Sequence, residues 1–404
     1  METGNGLFVR LLPLAIAMFA IGTDGFVIAG LLPQIAADLE VSVTAAGQLV
    51  TVFALALAIS APVLGAVTSE MDRRRVLVLA LTIFILGNVL TAVGPDYTTV
   101  LSARVLTAMG AGLIGAAAFS AAAAIAPEQH RGKALATVMG GLTLAIAFGL
   151  PAGTLIGAAE WRITLWAVAG LGLLAGVGVI VALPPIHLPF DSLRARLAPL
   201  AKPRILGTLA VTILTLAGTH VLYTYIGPAM TAATDGSAGT LTALLLSWGV
   251  GNMVGNLLAG RLADRYPPRQ VVTAGLGAAT IWLGVSPLLT SNSPLAIGWA
   301  LVWGIFVSLP VVPQQSRLVA QAPSSSAILL GLNNSAIYVG VALGGALGGL
   351  SQYQLAPDLL GLAAAAVTGL GFLLNLLAQR KAPTPHSAAQ PHDDRGSPFG
   401  PLTR

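Results

Sequence analysis

Long apolar runs separated by short polar breaks constrain this chain more than any other feature. About 20 apolar residues in a row are enough to cross the hydrocarbon core of a bilayer as a helix. Inside that core the backbone finds no water, so each run must satisfy its own N–H and C=O groups. About twelve such runs are legible. Their cores are Leu11–Pro33, Leu49–Val67, Val76–Ala92, Thr99–Ala117, Ala134–Gly157 and Ile163–Leu183, then Ile205–Met230, Leu241–Leu258, Val271–Leu289, Ile297–Val312, Leu329–Leu350 and Leu359–Leu377. The chain is only 9% charged, with mean hydropathy +0.84, where soluble domains carry roughly 25% charged residues. The expectation is an all-α integral membrane protein of twelve transmembrane helices.

One residue sits badly in this pattern. Nearly all the acids fall in polar breaks or tails, but Asp24, in Thr23-Asp24-Gly25-Phe26, lies well inside the first apolar run. A carboxylate there is costly unless it is neutralised, paired or wetted, so by default it marks function. That first run also exceeds the apolar core of a signal peptide and reads as a retained helix.

The breaks give an orientation. Arg73, Arg74 and Arg75, then Arg131 and Lys133, then Arg261, Arg265 and Arg269, then Arg317, all lie on alternate breaks. The other breaks hold almost no bases, Arg162 excepted. The positive-inside rule then puts both termini in the cytoplasm. Residues 184–204 are basic and rich in proline, and read as a cytoplasmic linker with a short surface helix near Ser192–Leu197. They divide a first bundle, 1–183, from a second, 205–379; residues 380–404 read as a disordered cytoplasmic tail.

Sliding the chain on itself by 195 positions (260 − 65) aligns Gly65 with Gly260, Arg74 with Arg269, Pro33 with Pro228, Gly149 with Gly344 and Gly153 with Gly348. Several matches at one offset, each at the same place in its run, imply two homologous halves of six helices. Parallel repeats about an axis normal to the membrane are a transporter plan, with the substrate site between them at the midplane.

Several motifs stand out against this plan. The loop Gly260-Arg-Leu-Ala-Asp264-Arg265-Tyr-Pro-Pro-Arg269 resembles the signature loop of the major facilitator superfamily. There a glycine admits a neighbouring helix, and the aspartate and arginines latch the cytoplasmic side. The first-half copy, from Gly65 to Arg73, Arg74 and Arg75, is degenerate, with Ser69 and Asp72 at altered positions. Its plainer reading is a positive-inside anchor. Arg104 in the fourth run resembles the superfamily's intramembrane arginine. At about 1.5 Å per residue, Asp24 and Arg104 both lie on the order of 10 Å below the outer surface, where they could pair; otherwise Arg104 snorkels to the headgroups. In the fifth run Gly141, Ala145, Gly149, Gly153 and Gly157 recur at steps of four around Pro151. That is a helix-packing face, and it resembles the antiporter motif of drug exporters. Gly344 and Gly348 repeat the theme in the eleventh run. His220 lies inside a run and suits either proton handling or packing. Phe26, Tyr223, Tyr225, Trp248, Asn252, Asn333 and Asn334 are the candidate cavity residues, although the aromatic ones could equally pack.

Taken together, residues 5–380 are similar to the twelve-span drug:proton antiporters of the major facilitator superfamily, in particular to bacterial chloramphenicol-resistance and arabinose-type efflux transporters. The residues that carry this are Thr23 to Leu39, the two basic loops, Trp161-Arg162, and Asn333-Asn334-Ser335 with the glycines that follow. Many members have Glu where Asp24 stands. The resemblance implies two pseudo-symmetric six-helix bundles in the bacterial inner membrane. It further implies proton-coupled efflux of small, largely apolar compounds by alternating access, with Asp24 carrying the proton beside Arg104; His220 is a further candidate for proton coupling on its chemistry alone. A dedicated sugar or nucleoside exporter, or a non-transporting receptor on the same fold, remains open. No nucleotide loop, metal cluster or catalytic constellation is present, so the expectation is no enzyme, cofactor, metal or nucleic acid. The partners are a small-molecule substrate, protons and lipid, and a monomer suffices.

Overall fold

The computed structural model of the protein describes residues 4–187 and 192–380; the tail expected after Arg380 lies outside the described residues. Twelve long helices follow one another: α1 Gly4–Asp38, α2 Val43–Val67, α3 Arg73–Val93, α4 Tyr97–Ile125, α5 Glu128–Gly157, α6 Trp161–Ala182, α7 Pro203–Tyr223, α8 Ala238–Arg265, α9 Pro268–Gly284, α10 Ser293–Gln321, α11 Pro323–Ser351 and α12 Pro357–Ala378. Eleven of them are long and apolar enough to cross a membrane, α9 being the short one. Among the described residues there is no strand.

The polar breaks act as caps. Ser42, Asp96, Ser237 and Asn292 each accept a hydrogen bond from the backbone N–H three residues on, which satisfies a donor that the first helical turn leaves without a partner. Ser192 does the same for a short linker helix, Leu193–Leu197.

Proline decides where several helices differ from the apolar runs. α7 was expected to reach Met230 but stops at Tyr223, with a short turn Ile226–Ala229 after it. Pro228 cannot donate to the carbonyl of Thr224 and crowds it. α9 stops at Gly284, with Ser286–Leu289 following, for the same reason at Pro287. At Pro33 the opposite holds: α1 runs through it to Asp38. Asp24 is therefore about 20 Å along the helix from that end, because α1 extends past the last apolar residues to Asp38. α10 is interrupted at Leu309–Pro310 and resumes as Val311–Gln321, so Arg317 lies on a helix and not in a break. Inside α5, residues Ala145–Gly149 form a π-turn.

The packing is two-fold. α1 packs on α5 and α6, α2 on α4, and α3 on α4 and α6. In the second half α7 packs on α11 and α12, α8 on α10, and α9 on α10 and α12. These are the same pairs moved on by six helices. The halves meet where α2 touches α11 and α5 touches α8, again one contact and its copy.

The apolar core divides by depth. One cluster joins both halves at the end away from the basic loops, running from Val27, Leu31 and Leu49 across to Tyr225, Leu245, Trp299 and Val341. At the basic end the clusters are separate. One is built from Leu14, Leu77, Ile114 and Val179 of the first half, another from Ile205, Leu318 and Leu329 of the second. The molecule is closed at one end and divided at the other.

Candidate functional site

Asp24 lies on α1 between Ile21, which belongs to the first-half cluster, and Val27, which belongs to the shared one. α4 brings Arg104 against it. The Nη1 of Arg104 donates to Asp24 Oδ1 at 2.7 Å, and Nη2 lies 3.4 Å from the Asp24 carbonyl oxygen. Both side chains are wholly buried. The guanidinium also rests on the Phe53 ring of α2, 4.2 Å from its centroid. Burying two charges costs several kcal/mol per ion, and only close geometry with further contacts offsets this. A carbonyl and an aromatic face supply such contacts here. The pair is nonetheless incomplete: Asp24 Oδ2, Arg104 Nε and the neighbouring Thr23 hydroxyl have no hydrogen-bond partner among the described residues. One carboxylate oxygen thus stays open to a proton or a donor while the other holds the arginine.

The second half places aromatic rings opposite. Tyr223 donates to the Phe26 carbonyl at 3.3 Å, and the two rings meet edge to face at 5.8 Å. From Tyr223 the rings continue to Trp248 at 4.7 Å, Trp303 at 5.6 Å from Trp248, and Trp299 stacked on Trp303. His220 packs between Phe26 and Tyr223. Its Nδ1 lies 2.9 Å from the carbonyl oxygen of Leu216. A carbonyl only accepts, so Nδ1 carries the hydrogen, and the ring is tied to its own helix.

The other expected cavity residues scatter. Tyr225 lines no open space; it is fully buried and donates to the Gly345 carbonyl at 3.1 Å. Its ring fills the gap between Gly47 of α2 and Gly348 and Gly349 of α11. This corrects its assignment: the break before Pro228 turns Tyr225 inward as a plug between the halves. Asn333 is buried and accepts from the Thr212 hydroxyl at 3.1 Å, whereas Asn334 is exposed. Asn252 accepts from Asn256 at 3.1 Å along α8. Thr212, Thr215, Gln314 and Asn333 line a small crevice between α7, α10 and α11.

The two basic loops behave differently. In the first half Asp72 caps α3 through Arg74 N at 3.1 Å and also accepts from Ile186 N at 2.7 Å. Arg73 donates to Ser69 O at 3.1 Å, and Arg74 donates to the Ile180 carbonyl at the end of α6. This loop fastens α3, α6 and the linker within one half. In the second half Asp264, Arg265 and Arg269 make no ion pair among the described residues, and nothing stands within 4 Å of where a Cβ of Gly260 would be. Gly260 therefore seats no neighbouring helix here, unlike Gly65, beside which Arg196 of the linker lies.

The glycine faces seat helices in copy. A Cβ on Gly149 would strike the Thr23 hydroxyl, and one on Gly153 would meet Val27 at 2.7 Å, so α5 rests on α1 beside Asp24. Pro151, between them in sequence, is buried on the other side of the helix. In the second half Gly344 and Gly348 lie on the backbone of Ala217 and Val221, so α11 rests on α7.

Sequence reasoning passed over Phe53, whose place under Arg104 has no local signal. It also missed Trp299 and Trp303, whose spacing of four puts both on one helical face. The 195-residue offset sets Trp299 opposite Arg104. There it exchanges reciprocal indole-to-carbonyl bonds with Trp282, each 3.0 Å. At this pair of equivalent positions the charge is confined to the first half.

Residues 14–228 and again 208–404 match the family model described as Major Facilitator Superfamily. The chain is 36% identical over 376 residues to the inner membrane transport protein YdhP of Escherichia coli, covering 92% of this chain and 96% of that one. It is 34% identical over 340 residues to the uncharacterized MFS-type transporter YbcL of Bacillus subtilis, covering 83% and 87%. It is 33% identical over 290 residues to a chloramphenicol resistance protein of Streptomyces lividans, covering 70% and 74%. A solved bacterial homologue of the human lysosomal transporter Spinster superposes with a TM-score of 0.76 at 16% identity, over 94% of this chain and 98% of that one.

Proposed function

The chain belongs to the major facilitator superfamily, and from that premise we propose that this multi-pass membrane transporter is a proton-coupled exporter of small, largely apolar compounds. The observation that carries the reading is the buried Asp24–Arg104 pair with its open carboxylate oxygen. A proton taken up at Oδ2 from outside weakens the hold of Asp24 on Arg104. Release of that proton inside restores the pair. Coupling requires that each event favour a different arrangement of the halves. The contacts from Tyr223 to Phe26 and from Tyr225 to Gly345 give the site a direct mechanical link to the closed end. The aromatic series from Phe26 to Trp248 offers ring faces to an apolar substrate.

The name of the Streptomyces relative supports phenicols as the first compounds to try. The E. coli relative supports placement in the bacterial plasma membrane, and the basic breaks support cytoplasmic termini. Asp264 and Arg265, which make no ion pair among the described residues, fit a loop that latches only when the basic end closes.

The test is drug susceptibility of a pump-deficient bacterium expressing the chain or Asp24→Asn at equal membrane abundance. Protection by the wild type alone is the expected result. Equal protection by Asp24→Asn would remove Asp24 from coupling. A second reading, export of a sugar or nucleoside, is favoured by the polar crevice of Thr212, Gln314 and Asn333; sugars and nucleosides in the same panel separate the two.

A further inference from the structure

Arg317 has no role in the reading above, and its surroundings are unusual for a cation. It lies in the last turns of α10, half-buried against α9 and α12. Its Nη1 donates to Gln314 Oε1 at 3.0 Å and to Asn375 Oδ1 at 2.7 Å. Both acceptors are neutral and already committed. Gln314 donates to the Thr208 carbonyl at 2.7 Å, and Asn375, wholly buried on α12, donates to the Thr273 hydroxyl at 2.9 Å. No carboxylate lies within ion-pair distance among the described residues. Arg269 begins α9 one turn before Thr273, whose hydroxyl donates to the Arg269 carbonyl at 2.8 Å, so a second cation starts the helix that Asn375 touches. Nη2 and Nε of Arg317 have no partner among the described residues. Unlike Arg104 Nε, they are not sealed inside the protein.

A half-buried guanidinium fixed by one nitrogen, with its other donors open and a second arginine at the start of the adjoining helix, is organised for an oxyanion. Such forks bind phosphate through parallel charge-assisted bonds. Its place in the fold points to the source. α12 turns Leu370, Leu373 and Leu377 outward and Asn375 inward. Arg317 therefore stands directly behind an apolar outer wall, at the end of the molecule that carries the basic loops. Basic pockets between helices at that level hold anionic headgroups.

We propose that Arg317, oriented by Asn375, and Arg269, one turn before Thr273 on α9, form a site for a phosphate oxyanion, supplied by the headgroup of an anionic phospholipid. The site is separate from Asp24 and does not depend on what is exported.

The test is native mass spectrometry and thermal unfolding of the full chain in neutral detergent. Phosphatidylglycerol, phosphatidylcholine or inorganic phosphate is added to wild type, Arg317→Gln, Arg317→Lys and Arg269→Gln. In wild type, phosphatidylglycerol should be retained and raise the unfolding midpoint more than phosphatidylcholine does. Arg317→Gln should lower that retention about tenfold, the loss of a charged hydrogen bond. Arg317→Lys, which keeps the charge but not the fork, and Arg269→Gln should each lose less. If inorganic phosphate stabilises the wild type as strongly as phosphatidylglycerol and Arg317→Gln abolishes it, the oxyanion site stands and its ligand is a free anion. If Arg317→Gln retains phosphatidylglycerol and responds to phosphate as wild type does, the proposal is overturned. Should Arg317→Gln fail to accumulate, Arg317→Lys and Arg269→Gln decide by the same measure.

Discussion

Gly47→Ala should act as a wedge that opens the closed end. Gly47 is buried in α2, and a Cβ there would stand 2.5 Å from Cε1 and Cζ of the Tyr225 ring, with the hydroxyl nearer still. The ring has nowhere to retreat: it is fully buried, bonded to the Gly345 carbonyl and backed by Gly348 and Gly349. Overpacking of this kind costs roughly 1–3 kcal/mol. The clash exists only while α2 and α11 are together, so the cost falls on one arrangement of the halves. The gain in helix propensity on replacing Gly with Ala, about 1 kcal/mol, applies to both arrangements and cancels. A cost of about 2 kcal/mol shifts the equilibrium between them roughly 30-fold. The protein has no cysteine, so Thr51→Cys provides a single reporter, one turn along α2 and facing Gly345. Labelling by an impermeant maleimide added to the closed side should quicken by about that factor in Gly47→Ala. Adding Tyr225→Ala removes the obstacle, so Gly47→Ala should then have no further effect. Labelling unchanged by Gly47→Ala, at equal abundance, would refute the reasoning.

Other expectations concern the pair and its supports. Arg104→Lys keeps the charge but loses the second contact to Asp24 and the planar seat on Phe53; substrate uptake into inverted vesicles should fall about tenfold with abundance unchanged. Gly149→Val drives a side chain into Thr23 and should destabilise the protein by roughly 1–3 kcal/mol, seen as a lower unfolding midpoint in detergent. Asp72→Ala removes the α3 cap and the tie to Ile186, costing about 1–2 kcal/mol; limited proteolysis should then cut the linker faster. Tyr223→Phe removes the bond to Phe26 but keeps the ring, so substrate binding measured by fluorescence quenching should hold while the rate of exchange between arrangements changes.

The architecture was legible from residue pattern alone. Twelve apolar runs, the alternating arginines and the 195-residue offset are all local patterns, and lipid leaves a helix no alternative way to satisfy its backbone. Asp24 was legible for the same reason: one acid in an apolar run is conspicuous without any coordinates. The small residues of α5 and α11 were equally plain, because spacing by four fixes a face. Tertiary structure decided everything that depends on two helices meeting. It brought Phe53 under Arg104 from a helix with no polar signal. It turned Tyr225 from a cavity residue into a plug, because the helix break before Pro228 redirects a side chain that an unbroken helix would have held elsewhere. It also carried Arg317 out of a presumed loop and against Asn375. Hydropathy ends a run at the first polar residues, but the hydrogen-bonded backbone of α10 continues past them. Runs are read from composition, whereas contacts follow from crossing points and helix ends, which depend on residues far away in the chain.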